Sequence, residues 1–200
     1  FDPGEPQKPT YLRATVIDQT QVELLWEDRS DNESGFIISA CPQRTNCQVI
    51  FEASADAETY TATNLEANTL YEFSVVATNI SGESAAVTDE ATTLPWPPEA
   101  AGNLTATALS QESIHITWED QSDNEERFQI IVRLASDPTG YKSIKDESAD
   151  ATESTVSNLS ADTSYIVEVN ALNDGGFGVA STTVTTLPWP PVEPADLTAA

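Results

Sequence analysis

Oxygen-bearing side chains crowd into two short runs whose composition suggests ligand chemistry. Asp28, Asp31 and Glu33 follow Trp26, and Asp120, Asp123 and Glu125 follow Trp118, each within a Trp-Glu-Asp-x-Ser-Asp-Asn-Glu segment. Hard carboxylate oxygens at this density suit Ca²⁺, which takes about six to eight oxygen ligands. The runs nevertheless lack the alternating Asp-x-Asp-x-Asp-Gly spacing of a dedicated calcium loop. Asp, Asn and Ser in such positions bond to their own backbone and build turns. The expectation is turn chemistry and no cofactor, with Ca²⁺ as the alternative occupant.

Cys41 and Cys47 are separated by the turn-rich stretch Pro42-Gln43-Arg44-Thr45-Asn46. Opposed residues of an antiparallel pair lie ~4.5–5.5 Å apart, a Cα separation that a disulfide tolerates. A loop-clipping disulfide is expected, which argues for an oxidising compartment. So short a loop should gain ~2 kcal/mol at most. No CxxC spacing suggests redox work, and no nearby His or second Cys pair completes a zinc site.

Catalytic chemistry has little to use. His115 is the single histidine, on the outward side of an alternating run. No Ser-His-Asp arrangement or phosphate-cradling glycine loop accompanies it. The carboxylates fall in solvated loops rather than a cleft. The sequence therefore reads as a non-enzyme.

Four aromatics are candidates for recognition. Trp96 and Trp189 sit in Leu-Pro-Trp-Pro-Pro segments, where proline stiffens the chain. They are expected to pack at interdomain junctions. Phe177, in Asn-Asp-Gly-Gly-Phe-Gly, and Tyr141, after Pro-Thr-Gly, are candidates for stacking on a partner or a sugar ring.

These residues are positioned by a unit that occurs twice. Val22-Glu23-Leu24-Leu25-Trp26 returns as Ile114-His115-Ile116-Thr117-Trp118, Tyr71 as Tyr165, and Thr92-Thr93-Leu94-Pro95-Trp96 as Thr185-Thr186-Leu187-Pro188-Trp189. The step of about 93 residues exceeds the roughly 20–50 of a solenoid unit and is that of a whole domain. Residues 195–199 align with residues 102–106, so a third copy is expected to begin there, and the chain reads as a piece of a longer array. Period-two alternation is clear in Val22, Leu24 and Trp26, in Phe36, Ile38 and Ala40, and in Tyr71, Phe73, Val75 and Ala77, with equivalents in the second copy. Half-buried antiparallel strands at this spacing predict an all-β sandwich.

Each unit resembles a fibronectin type III domain. The early Leu12 and Leu104, Trp26 and Trp118, and the acidic loop ending in Phe36 or Phe128 carry the likeness. So do Leu65 and Leu159, each six residues before Tyr71 or Tyr165, a spacing that matches a tyrosine corner. The acidic loop resembles versions from bacterial secreted and surface proteins. Neither unit has Arg-Gly-Asp after Asn79 or Asn173, so integrin-type adhesion is not implied. The second unit has Ser154 and Val156 where the first has Tyr60 and Ala62, and a thinner core is expected there.

The resulting reading is two tandem immunoglobulin-like β-sandwiches. Residues 1–7 form a tail, 8–94 the first domain, 95–100 a Pro/Trp linker, 101–187 the second domain, and 188–200 a linker with the first strand of the next repeat. With 33 acidic against 8 basic residues and a net charge of −25, the chain should repel nucleic acids and anionic membrane surfaces. No run of about 18 apolar residues is present to span a bilayer. The expected function is that of a monomeric spacer or stalk in an extracellular multidomain protein, secreted or cell-surface. Its expected partners are neighbouring domains, a protein or a polysaccharide. The alternatives are an adhesion or glycan-binding module, and accessory domains of a secreted hydrolase. Asn32, Asn79, Asn103 and Asn158 lie in glycosylation sequons.

Overall fold

The computed structural model describes residues 4–192, Tyr141 by its backbone alone; the expected start of a third repeat lies outside the described residues. Among the described residues all regular elements are strands, and the chain divides into two compact units, Phe1–Trp96 and Pro97–Ala200.

In the first unit β1 (Thr10–Val16), β2 (Val22–Glu27) and β5 (Thr59–Ala62) form one antiparallel sheet in the order β1-β2-β5. The facing sheet runs β4 (Gln48–Ser54), β3 (Gly35–Pro42), β6 (Leu70–Asn79), with the short β7 (Gly82–Glu83) and then β8 (Val87–Thr92) both pairing β6. The alternation expected from sequence decides which side chains face inward. Val22, Leu24, Phe36, Ile38, Phe73 and Val75 are fully buried, whereas Leu25 lies outward at 42% exposure. Trp26 packs on Phe36 with ring centroids 5.7 Å apart. Such a tilted aromatic pair fills the space between sheets and gains from its quadrupole alignment.

The second unit repeats the plan. β9 (Gly102–Ala108), β10 (Ile114–Glu119) and β13 (Glu153–Val156) form the order β13-β10-β9. Opposite them lie β12 (Asp137–Ser148), β11 (Arg127–Leu134), β14 (Ser164–Asn173) and β15 (Gly176–Thr185), in that order. Trp118 and Phe128 reproduce the aromatic pair at 5.3 Å. Ser154 is buried at the position that Tyr60 half-occupies in the first unit. Its hydroxyl donates to Glu147 Oε1 at 2.6 Å and accepts from Lys145 Nζ at 3.1 Å. A polar network therefore stands where the first unit stacks Phe51 on Tyr60 at 4.3 Å.

Both tyrosine corners are formed. Tyr71 accepts a hydrogen bond from the Glu66 N–H at 3.0 Å, and Tyr165 from the Ser160 N–H at 2.8 Å. Cys41 and Cys47 are joined by a disulfide. Their Cα atoms are 4.0 Å apart, just beyond the last ladder pair of the hairpin, Ala40 with Gln48.

Candidate functional site

The acidic runs connect β2 to β3 and β10 to β11, and their first residues do build turns. Asp28 Oδ1 accepts the Ser30 N–H at 2.9 Å, and Asp120 Oδ1 the Ser122 N–H at 3.2 Å. Each loop is held from the opposite sheet as well. Asn79 Nδ2 donates to the Asn32 carbonyl at 3.0 Å, and Asn173 Nδ2 to the Asn124 carbonyl at 3.1 Å. The amide nitrogen of the Asn79 sequon is thus engaged in holding the loop, while Asn103 and Asn158 are exposed.

A second connection reaches each loop. The β4–β5 turn is tied to β2 by the Trp26 N–H donating to the Glu58 carbonyl at 3.0 Å, and the β12–β13 turn to β10 by Trp118 N–H to Thr152 carbonyl at 2.9 Å. This brings Asp56 beside Asp28 and Glu33, and Asp150 beside Asp120 and Glu125. One carboxylate oxygen from each member of a triad lies within 4.8 Å of the others. In the first unit the Asp56 N–H also donates to Glu33 Oε1 at 3.3 Å.

Four of the six candidate ligands named from sequence are therefore brought together, two in each unit. Asp31 and Asp123 are exposed and belong to neither triad. Asp56 and Asp150 escaped the sequence reading, although the tetrapeptide Ser-Ala-Asp-Ala occurs intact at 54–57 and 148–151.

The electrostatics are unfavourable without a counter-charge. Burial pushes the Asp28 carboxyl above its ordinary value, the charges of Glu33 and Asp56 add to that, and the Ser30 N–H bond works against it. Glu125 is only 8% exposed, and its Oε2 has no hydrogen-bond partner; Glu33 Oε2 is likewise buried and unpartnered. A buried, unpaired carboxylate oxygen carries a desolvation cost that native proteins usually offset with a donor or a metal.

The other candidates are dispersed. Phe177, 61% exposed, lines a shallow groove on the outer face of the β11-β14-β15 sheet, beside Ile131, Asn170, Leu172 and Val179. An Arg133–Glu168 ion pair and Gln129 complete it. Tyr141 falls in β12, and its side chain lies outside the described residues. Trp96 and Trp189 are 60% and 63% exposed. His115 is part-exposed, with Nε2 3.6 Å from a Glu153 carboxylate oxygen and Nδ1 3.5 Å from Thr155 Oγ1.

The Fibronectin type III domain family matches residues 7–93 and 97–187. Chitinase A1 of Niallia circulans is 29% identical over 187 residues, covering 88% of this chain and 24% of that protein. Protein sidekick-2 of Mus musculus is 29% identical over 198 residues, covering 92% of this chain and 9% of that protein. Among solved structures, the FN1–FN3 domains of chicken CNTN1 share the fold, with a TM-score of 0.56 at 19% identity over 92% of this chain and 69% of that one.

Proposed function

The chain belongs to the fibronectin type III family, and on that premise we propose that its two sandwiches form a non-catalytic spacer within a larger secreted or cell-surface protein. The observation that carries this reading is how little chain connects the two folded units. Leu94 has both its N–H and its carbonyl bonded within the first unit, to Asp18 and Asn68. Pro98 is buried within the second. Only Pro95, Trp96 and Pro97 intervene, and two prolines among three residues leave few soft dihedrals. The Cys41–Cys47 disulfide favours an oxidising, extracellular setting. An excess of 33 acidic over 8 basic residues opposes self-association and keeps the protein monomeric.

Solution scattering on the 200-residue protein tests the reading. A spacer predicts a narrow distribution of interdomain distances that broadens when Pro95 and Pro97 are replaced by glycine. A broad distribution in the unaltered protein would refute the stiff form of the proposal.

One observation favours a second reading, in which the chain is an accessory or adhesive module that binds a polysaccharide or protein. The Phe177 groove combines an exposed aromatic ring with Asn170, whose Oδ1 is buried and lacks a hydrogen-bond partner. Aromatic faces with adjacent amides suit a sugar ring. One relative is a chitinase, so chitin is the first ligand to try. Retention on insoluble chitin that is lost in Phe177→Ala would favour this reading over the plain spacer.

A further inference from the structure

The two carboxylate triads differ from ordinary acidic turns in that each holds a glutamate oxygen that is buried and has no hydrogen-bond partner. Asp120, Glu125 and Asp150 come from two separate connections, yet one oxygen of each lies within 4.8 Å of the others. Two oxygens sharing one Ca²⁺ at about 2.4 Å can stand no more than about 4.8 Å apart, so the triad is already within coordinating range. Glu125 is more than nine-tenths buried at the base of the loop, and its Oε2 has no donor. Ser122 Oγ, from the same loop, is also buried without a partner. A solvated turn would leave these oxygens to water; here the fold has removed water and supplied no hydrogen. Among the described residues no Lys or Arg forms an ion pair with any member of either triad.

We propose that Asp120, Glu125 and Asp150 form a Ca²⁺ site in the second unit, and that Asp28, Glu33 and Asp56 form its counterpart in the first. Asp120 and Asp150 supply oxygens from the solvent side and Glu125 closes the site from below, with water completing the six to eight oxygens that Ca²⁺ takes. Glu33, half-buried with an unpartnered Oε2, plays the part of Glu125 in the first unit. The inference stands independently of the spacer reading, because it concerns each domain by itself.

Calorimetric titration of the 200-residue protein with CaCl₂, after EDTA treatment and desalting, tests it. The expected result is two sites with dissociation constants of about 10⁻⁴–10⁻³ M, the range of extracellular calcium modules. Glu125→Gln and Asp150→Asn should each reduce the stoichiometry from two to one, and Glu33→Gln should remove the other site. Asp150 is exposed, so its variant keeps the test valid if the Glu125 variant folds poorly. Absence of calcium-dependent heat would overturn the proposal. So would a response that MgCl₂ reproduces and both second-unit variants retain, since that is charge screening.

Discussion

The Ser160 backbone is clamped on both sides, by a side chain of β14 and by one just past the end of β15. Its N–H donates to the Tyr165 hydroxyl at 2.8 Å, and its carbonyl accepts from Thr186 Oγ1 at 2.6 Å. Glu66 is held in the same way by Tyr71 at 3.0 Å and Thr93 at 2.6 Å. Both threonines are almost completely buried. The crossover between sheets is thus fixed by a two-sided clamp, of which the tyrosine is one half.

Tyr165→Phe keeps the ring in the core and takes the acceptor from the Ser160 N–H. The expected loss is about 1 kcal/mol, that of an ordinary hydrogen bond, because the Ser160 N–H is only part-buried and water can replace the phenol. Urea unfolding followed by residue-resolved amide NMR signals should register it in the second unit alone. Combining it with Thr186→Val should cost less than the two single losses added together, because both act on one residue.

Gly178 has no room for a side chain. A Cβ there would stand 2.5–2.6 Å from backbone atoms of Pro98, Glu99 and Ala100. Backbone cannot swing aside as a side-chain tip can, so Gly178→Ala must displace the 98–100 segment from β15. The expected outcome is faster amide exchange at Glu99 and Ala100 together with a lower unfolding midpoint for the second unit. Unchanged exchange would show that the segment is not held there.

The disulfide closes a loop in which Gln43, Arg44 and Asn46 all adopt positive φ, at 50°, 59° and 51°. Non-glycine residues are disfavoured in that region, Asn least among them. Reduction lets them relax, which offsets part of the closure entropy of about 2 kcal/mol that the bridge supplies. Dithiothreitol should therefore lower the stability of the first unit by less than about 2 kcal/mol. The second unit, which has no cysteine, serves as an internal control. The Arg44–Glu90 pair, at 2.6 and 2.9 Å, should loosen with the loop.

Much of this architecture was legible in the sequence because period-two burial is a local signal. Val22, Leu24 and Trp26 announce an inward face without reference to any other segment. The Leu65–Tyr71 spacing announces the corner in the same way. The carboxylate triads were only half legible. Asp28 and Glu33 are neighbours in sequence, whereas Asp56 arrives through the Trp26–Glu58 hydrogen bond, a tertiary contact that spacing does not encode. The repeated Ser-Ala-Asp-Ala marked the position but not its partners. Thr93 and Thr186 were hidden for a related reason: a threonine at a strand end looks like surface until the facing carbonyl is known.

Acidification should separate two carboxylates of opposite sign. Glu147 accepts from Lys145, with Nζ 2.7 Å away, and from Ser154, and these bonds hold its pKa below the ordinary 4.5. The native state therefore prefers Glu147 ionised. The stability it contributes is present above 4.5 and disappears as pH falls through the lowered value. Asp28 is the reverse case. Its pKa is raised above 3.8, chiefly by burial, so the native state binds that proton more tightly than the unfolded chain does. Its contribution is full below 3.8 and is lost as pH rises through the raised value. In EDTA, Glu147→Gln should destabilise the second unit at neutral pH, and Asp28→Asn should stabilise the first, with Asn retaining the acceptor for the Ser30 N–H. Both differences from the unaltered protein should close as the pH falls, seen in urea midpoints measured from pH 7 down to about pH 3, where native and unfolded carboxylates protonate. A gap for Asp28→Asn that widened on acidification would show that the crowded triad does not raise its pKa.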